Sequence, residues 1–408
     1  MKCRHCGSDV SHVLVDLGVA PPSNAYLTKL ALKRPEKYFP LRVLICESCW
    51  LVQAEAYSRA AELFNEEYAY FSSFSTEWLE HAERYINEMT TRFSLTKSSM
   101  IVEVAANDGY LLQFVKARAI PCYGIEPTAS TANAARQKGI EIVQDFLTTK
   151  LATELKEQGR TADLVVAKNV LAHVPDINDF SNACRLLMKP NGVLTCEFPH
   201  LMNLISQHQF DTIYHEHFSY LSFGTVLNIF AKNGLNVFDV EEIGTHGGSL
   251  RVFAQCSDTG SHSLEPRVSD MLEREVSTGM TNIDFYLGFQ EHAELVKNDF
   301  LAFLIQQKNQ GKSVVGYGAA AKGNTLLNFA GVKSDLIKYV VDRNPHKQNK
   351  FMPGSRIPIV SEDQLKNERP DFVVIFPWNL RDEVISQLNY LKIKGTKFVT
   401  AVPNLQIE

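Results

Sequence analysis

Between Met100 and Phe198, short apolar runs alternate with longer stretches whose apolar positions recur every three or four residues. The runs Met100–Val104, Cys122–Ile125, Glu141–Val143, Asp163–Ala167 and Val193–Phe198 predict strands, and the stretches between them predict amphipathic helices. Such alternation implies a parallel sheet covered by helices. Two further strand-like runs, Asn236–Ile243 and Ser249–Gln255, are joined by Gly244-Thr245-His246-Gly247-Gly248, which is good hairpin chemistry. Glu265 to Gln310 is polar and mostly helical, interrupted near Thr278-Gly279, and reads as a connector. Strand–helix alternation then resumes, with strands expected at Ser313–Tyr317, Ile337–Val341, Asp371–Phe376 and Lys397–Ala401. The start of the chain is different: Val13-Leu14-Val15 and Leu41–Ile45 are short runs of a small β-rich unit with few residues for a core.

The pattern therefore predicts an α/β protein of three domains, residues 1–72, 73–256 and 257–408. A length of 408 residues agrees with two or three domains, and 45% hydrophobic with 21% charged residues is ordinary for a soluble globular chain. A net charge of −5 without a long basic run argues against a nucleic-acid partner. No apolar run approaches the ~18 residues a membrane helix needs, so no membrane partner is expected. The charged start Met1–Cys6 is not followed by an apolar stretch, as a signal peptide would require. A cytoplasmic monomer is the expectation.

Of eight cysteines, four stand in pairs, Cys3-x-x-Cys6-Gly7 and Cys46-x-x-Cys49. Each pair places two thiols at one tight turn, and together they supply the four thiolates that structural Zn²⁺ prefers, leaving no open position for catalysis. Two disulfides are the alternative, less at home in a reducing compartment. Cys122, Cys184, Cys196 and Cys256 lie in apolar segments and read as small buried hydrophobes.

Ile101-Val102-Glu103-Val104-Ala105-Ala106-Asn107-Asp108-Gly109 reads as strand, acidic residue, tight loop and helix start. The next strand ends in Glu126-Pro127, a carboxylate placed to accept from ribose hydroxyls. The one after ends in Asp145-Phe146, a polar group beside an aromatic, suited to an adenine. The fourth runs into Lys168-Asn169 and then His173, at the carboxyl end of the sheet where such folds bind ligands. Together these positions resemble class I S-adenosylmethionine-dependent methyltransferases. The resemblance implies that Glu103, Asn107, Asp108 and Gly109 hold the methionine end, Glu126 with Pro127 the ribose, and Asp145 and Phe146 the adenine, with Asn169 beside them. Ala105 departs from the glycine usual there. A nicotinamide-binding domain would want G-x-G-x-x-G and finds a single glycine.

Asp211-Thr212-Ile213-Tyr214-His215-Glu216-His217 follows the fifth strand. Its histidines among aromatics can serve as a general base, face a metal, or simply pack in the core. Tyr68-Ala69-Tyr70-Phe71-Ser72-Ser73 carries aromatics and hydroxyls able to cover a site. Gly316-Tyr317-Gly318-Ala319-Ala320-Ala321-Lys322-Gly323 follows a strand and opens a helix, baring backbone N–H groups beside a cation. That arrangement suits a diphosphate; an NAD site with Asp342 at the next strand end is the alternative.

With His246-Gly247-Gly248-Ser249-Leu250-Arg251, Asp342-x-Asn344-Pro345-x-Lys347-Gln348 and Pro377-Trp378-Asn379 added, the whole chain resembles the sugar C-methyltransferases. That family methylates a carbon beside the ketone of a nucleotide-linked 4-keto-deoxysugar, commonly C-3 of a dTDP-sugar. The resemblance implies that His217 removes the α-proton while Tyr214 and Glu216 assist, and that Tyr70 or Tyr68 closes over the sugar. It places Ser72, His173, His246 and Arg251 around the substrate. From the third domain come Tyr317, Gly318, Ala319, Asn324, Trp378 and Asn379, with Lys322 on the diphosphate. Methyl transfer to oxygen or nitrogen, and a non-catalytic binding protein, are the rival functions.

Overall fold

A computed structural model describes residues 1–57, 60–63 and 71–408. Tyr68 and Tyr70, expected to close over the substrate, lie outside the described residues.

The N-terminal unit contributes β1 (His12–Ala20), β2 (Phe39–Ile45) and β3 (Val52–Ala54), paired antiparallel in that order. The middle segment carries β4 (Ile101–Val104), β5 (Cys122–Ile125), β6 (Glu141–Val143), β7 (Ala162–Lys168), β8 (Met188–Pro199), β9 (Ser219–Tyr220), β10 (Leu235–Ile243) and β11 (Ser249–Cys256). Seven of these form one sheet in the order β10-β11-β8-β7-β4-β5-β6. The five strands from β8 to β6 are parallel, as the alternation predicts, and β4 is buried along its whole length because helices cover both faces. The expected hairpin closes the other side, β11 lying antiparallel between β8 and β10.

β9 has no counterpart in the sequence pattern. It pairs with β3, Val52 opposite Tyr220 and Gln53 opposite Ser219, and so completes the sheet of the N-terminal unit with chain from the middle segment. The shortage of core residues in that unit is met by sharing. Val15 and Val43 pack in one hydrophobic core with Phe289 and Phe300 of the connector and with Leu326 and Val340 beyond it.

The connector is two helices, Pro266–Thr278 and Phe289–Asn309; Gly279, left-handed at φ 92°, ends the first. The last sheet contains β12 (Val314–Tyr317), β13 (Val340–Val341), β14 (Ile359–Val360), β15 (Phe372–Ile375), β16 (Lys397–Thr400) and β17 (Gln406–Ile407), in the order β14-β13-β12-β15-β16-β17. All are parallel except β17; β14 and β17 are too short to stand out as apolar runs. No helix among the described residues is long and apolar enough to cross a membrane.

Both parallel sheets reverse strand order next to their first strand, between β4 and β7 and between β12 and β15. Ligands of open α/β sheets bind in the crevice at such points. Here the two crevices face one another and merge into a single cavity of about 1160 Å³.

Candidate functional site

The four paired cysteines converge. Sγ of Cys3 lies 3.6 Å from that of Cys49, and Sγ of Cys6 lies 3.5 Å from that of Cys46. All four sulfurs fall within 4.8 Å of one another, and all are free thiols. A tetrahedral ion with Zn–S bonds of about 2.3 Å separates its sulfurs by about 3.8 Å, so the cluster fits zinc and the disulfide alternative falls away. Each knuckle turns the same way: the N–H of Gly7 returns to the carbonyl of Cys3, and that of Trp50 to Cys46, with φ of 79° and 59°. Glycine makes the first turn predictable; Trp50 in the left-handed region could not be foreseen. The cluster does not line the cavity, as a structural ion requires.

At the methyl-donor end, the loop after β4 has positive φ at Ala105 (57°), Asn107 (50°) and Gly109 (75°). A Cβ on Gly109 would come within 2.4 Å of Ile140, so that glycine is needed for close packing. Glu126 accepts hydrogen bonds from the N–H of Asn107 and of Thr128, each at 2.9 Å, and from the Thr131 hydroxyl at 3.0 Å. A carboxylate offers about four acceptor sites, which leaves Glu126 room for a ribose hydroxyl but not for several. Burial raises its carboxyl, and the bonds to Thr128 and Asn107 counter that. Asn169, at the end of β7 with φ 51°, presents to the cavity a buried side-chain oxygen that lacks a donor. Glu103 is fully buried and does not line the cavity; burial holds its carboxyl well above the usual range, with Lys168 and Tyr110 partly offsetting it. Pro127, Asp145 and Phe146 line the same end. The orphaned Asn169 acceptor beside the Glu126 carboxylate fits S-adenosylmethionine. Asp108 does not line the cavity; with Asn107 it accepts from the backbone of Ser73 and Ser72, fastening segment 71–75 over the loop.

His217 stands between the two ends. Its Nδ1–H donates to the carbonyl of Thr212 at 2.9 Å, which leaves Nε2 as the acceptor. Burial, reinforced by His173, lowers its pKa well below the ordinary value, so the ring is neutral. The Tyr214 ring lies 4.0 Å from it and the His173 ring 4.6 Å, and all three line the cavity. The neighbouring His215 turns away: its Nε2–H donates to the carbonyls of Phe39 and Pro40, so it is a packed core histidine. The two histidines face apart, and the metal alternative for them is gone. Glu216 does not line the cavity. Its Oε1 accepts from the backbone and side-chain N–H groups of Asn24, both at 3.2 Å, while its carbonyl takes the Nδ1–H of His173. It therefore orients the histidine pair from behind.

Arg251 lines the cavity, but its charge is engaged by Glu197 at 2.7 Å, Glu88 at 3.0 Å and Glu241 at 3.2 Å. Glu197 also pairs with Lys168 at 3.1 Å and His81 at 3.0 Å. Although burial opposes it, this cationic ring, led by Lys168, holds Glu197 well below the usual carboxylate range. Lys168, named at a strand end but given no role, lines the cavity with His81 and Trp78, which sequence reasoning missed. Lys168 directly precedes Asn169 at a strand end, where its place was legible; the other two needed the docking of helix Thr76–Arg92.

From the last domain, Gly318, Lys322 and Asn379 line the cavity, together with Arg343, while His246 reaches it from the turn before β11. Tyr317, Ala319, Asn324 and Trp378 do not. Tyr317 is buried, and the carbonyl of Ala319 is taken by the Tyr26 hydroxyl and the Lys347 ammonium. Asn324 is wholly buried, and its amide atoms lack partners. Trp378 lies behind Lys322, its indole N–H on Asp211 at 2.8 Å. Asp342, which also lines the cavity, accepts from the N–H groups of Ala319 and Asn344, each at 2.8 Å, and so braces the glycine loop.

Three family models match the chain: a zinc binding domain over residues 3–64, a methyltransferase domain over 78–240 and a C-methyltransferase C-terminal domain over 244–403. Over 406 residues the chain is 32% identical to C-methyltransferase NovU of Streptomyces niveus, an alignment covering 100% of this chain and 96% of that relative. Solved structures cover less than half of the chain. An S-adenosylmethionine-dependent methyltransferase from Clostridium acetobutylicum shares 12% identity over 44% of this chain and 92% of its own, with a TM-score of 0.37. Magnesium protoporphyrin IX methyltransferase from Synechocystis, solved with bound SAM, shares 14% over 43% and 78%, with a TM-score of 0.34.

Proposed function

As the chain belongs to the C-methyltransferase family and transfers methyl from S-adenosylmethionine to carbon, we propose that its acceptor is a nucleotide-linked 4-keto-deoxysugar, methylated beside the ketone at C-3. One observation carries this reading. A single cavity joins the methyl-donor loop to the glycine loop of the last domain, with the neutral base His217 on the wall between them.

Bound S-adenosylmethionine supplies an electrophilic methyl on sulfur. The acceptor carbon must become a nucleophile, and a carbon next to a ketone does so by losing a proton. Nε2 of His217 takes that proton, since Nδ1 is committed to Thr212. Glu216, through the His173 ring, and Tyr214, by its ring contact, keep the imidazole aimed. On the nucleotide side, the Gly318 N–H is taken by the Val341 carbonyl, and it is the start of helix Ala321–Phe329 that offers backbone N–H groups to a diphosphate, with Arg343 adding a charge on the same wall.

The test is to supply dTDP-linked and other 4-keto-deoxysugars with the methyl donor and locate the new methyl by NMR. A C–CH₃ signal at C-3 bears the reading out. Methyl on C-5, the other carbon flanking the ketone, would move the acceptor position, and methyl on oxygen or nitrogen would reject the enolate.

A further inference from the structure

The last domain reaches the base through one helix. Thr325, in Ala321–Phe329, donates its hydroxyl to the carbonyl of Ile213 at 2.8 Å. The preceding carbonyl, of Thr212, receives Nδ1–H of His217. Helix and base are thus fastened to consecutive residues of one segment. Lys322 lies three residues before Thr325, on the same helix face, and lines the cavity with Tyr214, His217 and His246.

The surroundings of this lysine are unusual. Its Nζ sits 4.1 Å from the centre of the Trp378 ring and 2.9 Å from the side-chain oxygen of Asn379. Among the described residues no carboxylate lies within 4 Å of it. The nearest acid in charge, Asp211, has one oxygen committed to the indole N–H of Trp378. Loss of hydration lowers the ammonium to about 8, and Asp211 only partly offsets this. A cation held by an aromatic face and a neutral amide, with no carboxylate in contact, is arranged for negative charge that appears in the cavity.

We propose that Lys322 is a catalytic residue that donates a hydrogen bond to the ketone oxygen as the enolate forms, and is not an anchor for the diphosphate. The inference rests on the keto-sugar reading above. In the step concerned, the α C–H bond breaks and its proton goes to Nε2 of His217. The electron pair left behind forms the C=C bond, and the carbonyl π pair moves onto oxygen, opposite the Lys322 ammonium. When the charge returns from oxygen, the carbonyl re-forms as the C=C pair makes the new carbon–methyl bond, and the pair of the broken methyl–sulfur bond stays on the sulfur of the donor.

Enolisation is read apart from methylation by following exchange of the α-hydrogen in D₂O, with saturating keto-sugar nucleotide and S-adenosylhomocysteine. Lys322→Met, which keeps length and removes charge, is expected to slow exchange about 10²–10³-fold, as loss of an oxyanion donor does. Its affinities for thymidine diphosphate and S-adenosylhomocysteine should stay within about twofold of wild type. Ethylamine should restore part of the exchange in Lys322→Ala, which a purely structural role would not allow. Should Lys322→Met fold poorly, Lys322→Gln carries the same comparison. A tenfold or larger loss of thymidine diphosphate affinity, with exchange at saturation preserved, overturns the proposal and returns the lysine to the diphosphate. No α-exchange by the wild-type protein on any 4-keto-deoxysugar nucleotide overturns the acceptor reading itself, and this inference with it.

Discussion

Tyr26 donates its hydroxyl to the carbonyl of Ala319 at 2.6 Å, a bond between residues 293 positions apart. It ties the zinc-bearing unit to the glycine loop of the last domain. Two residues earlier, Asn24 holds Glu216 next to His217 in the chain. The N-terminal unit thus braces both the segment of His217 and the glycine loop of the last domain, although its cysteines lie away from the cavity.

Zinc should therefore matter for integrity first. Purified protein is expected to hold one zinc per chain, and Cys46→Ser should lower the yield of folded protein, since the unit has too small a core to stand without its ion. Metal analysis and thiol titration decide this. Native protein free of zinc, with four titratable thiols in this cluster, would reject the metal.

His217→Asn keeps a polar side chain of similar size but cannot accept a proton near neutral pH. Loss of a general base typically costs ~10²–10⁴-fold, so a decline of that order in turnover is expected, with both ligands still bound. Because burial holds His217 well below its ordinary pKa, wild-type kcat/KM should stay high as pH falls past ~6.5 and drop only at lower pH. Near-normal turnover in a folded variant would move the role to Tyr214.

Burial lowers the His173 imidazole to about 4. The unfolded chain, with a pKa near ~6.5, binds a proton there before the folded one does. This group therefore costs no stability above pH ~6.5, and its penalty grows as pH falls from there towards about 4. His173→Asn removes that penalty. The unfolding temperature of the wild type relative to this variant should fall between pH 7.5 and 5; a constant difference would show that the imidazole is not buried neutral.

Glu126→Ala removes the acceptor left for the ribose and frees the N–H groups of Asn107 and Thr128. Affinity for S-adenosylhomocysteine should weaken by about 1–3 kcal/mol by calorimetry. Unchanged affinity in a folded variant would place the ribose elsewhere.

Ala105 has a φ of 57°, where a side chain costs ~1–2 kcal/mol and glycine does not. Glycine gives back ~0.5–1 kcal/mol in unfolded-chain entropy. Ala105→Gly should thus leave stability level or raise it by up to about 1.5 kcal/mol in urea unfolding, with cofactor affinity retained. A clear destabilisation would mean that the methyl group packs against something the strain argument overlooks.

What the sequence determines here is local. Strands β4, β5 and β7 are legible because each is a short apolar run between helical stretches, and burial on both faces leaves that mark in consecutive residues. The cysteine pairs are legible because a metal knuckle needs two thiols one turn apart, and the loop from Glu103 to Gly109 because a tight turn after a strand restricts residue type. Tertiary structure decides what depends on partners far along the chain. Ser219 and Tyr220 form a strand only because Gln53 and Val52 offer an open edge. His215 and His217 are two residues apart and chemically identical, yet one meets the carbonyls of Phe39 and Pro40 and the other faces the cavity. Lys322 reads as a phosphate ligand beside its glycines, and only the bond of Thr325 to Ile213 shows that its helix is also set against the segment of His217. Side-chain direction at such points is set by docking between domains, and no period in the sequence records it.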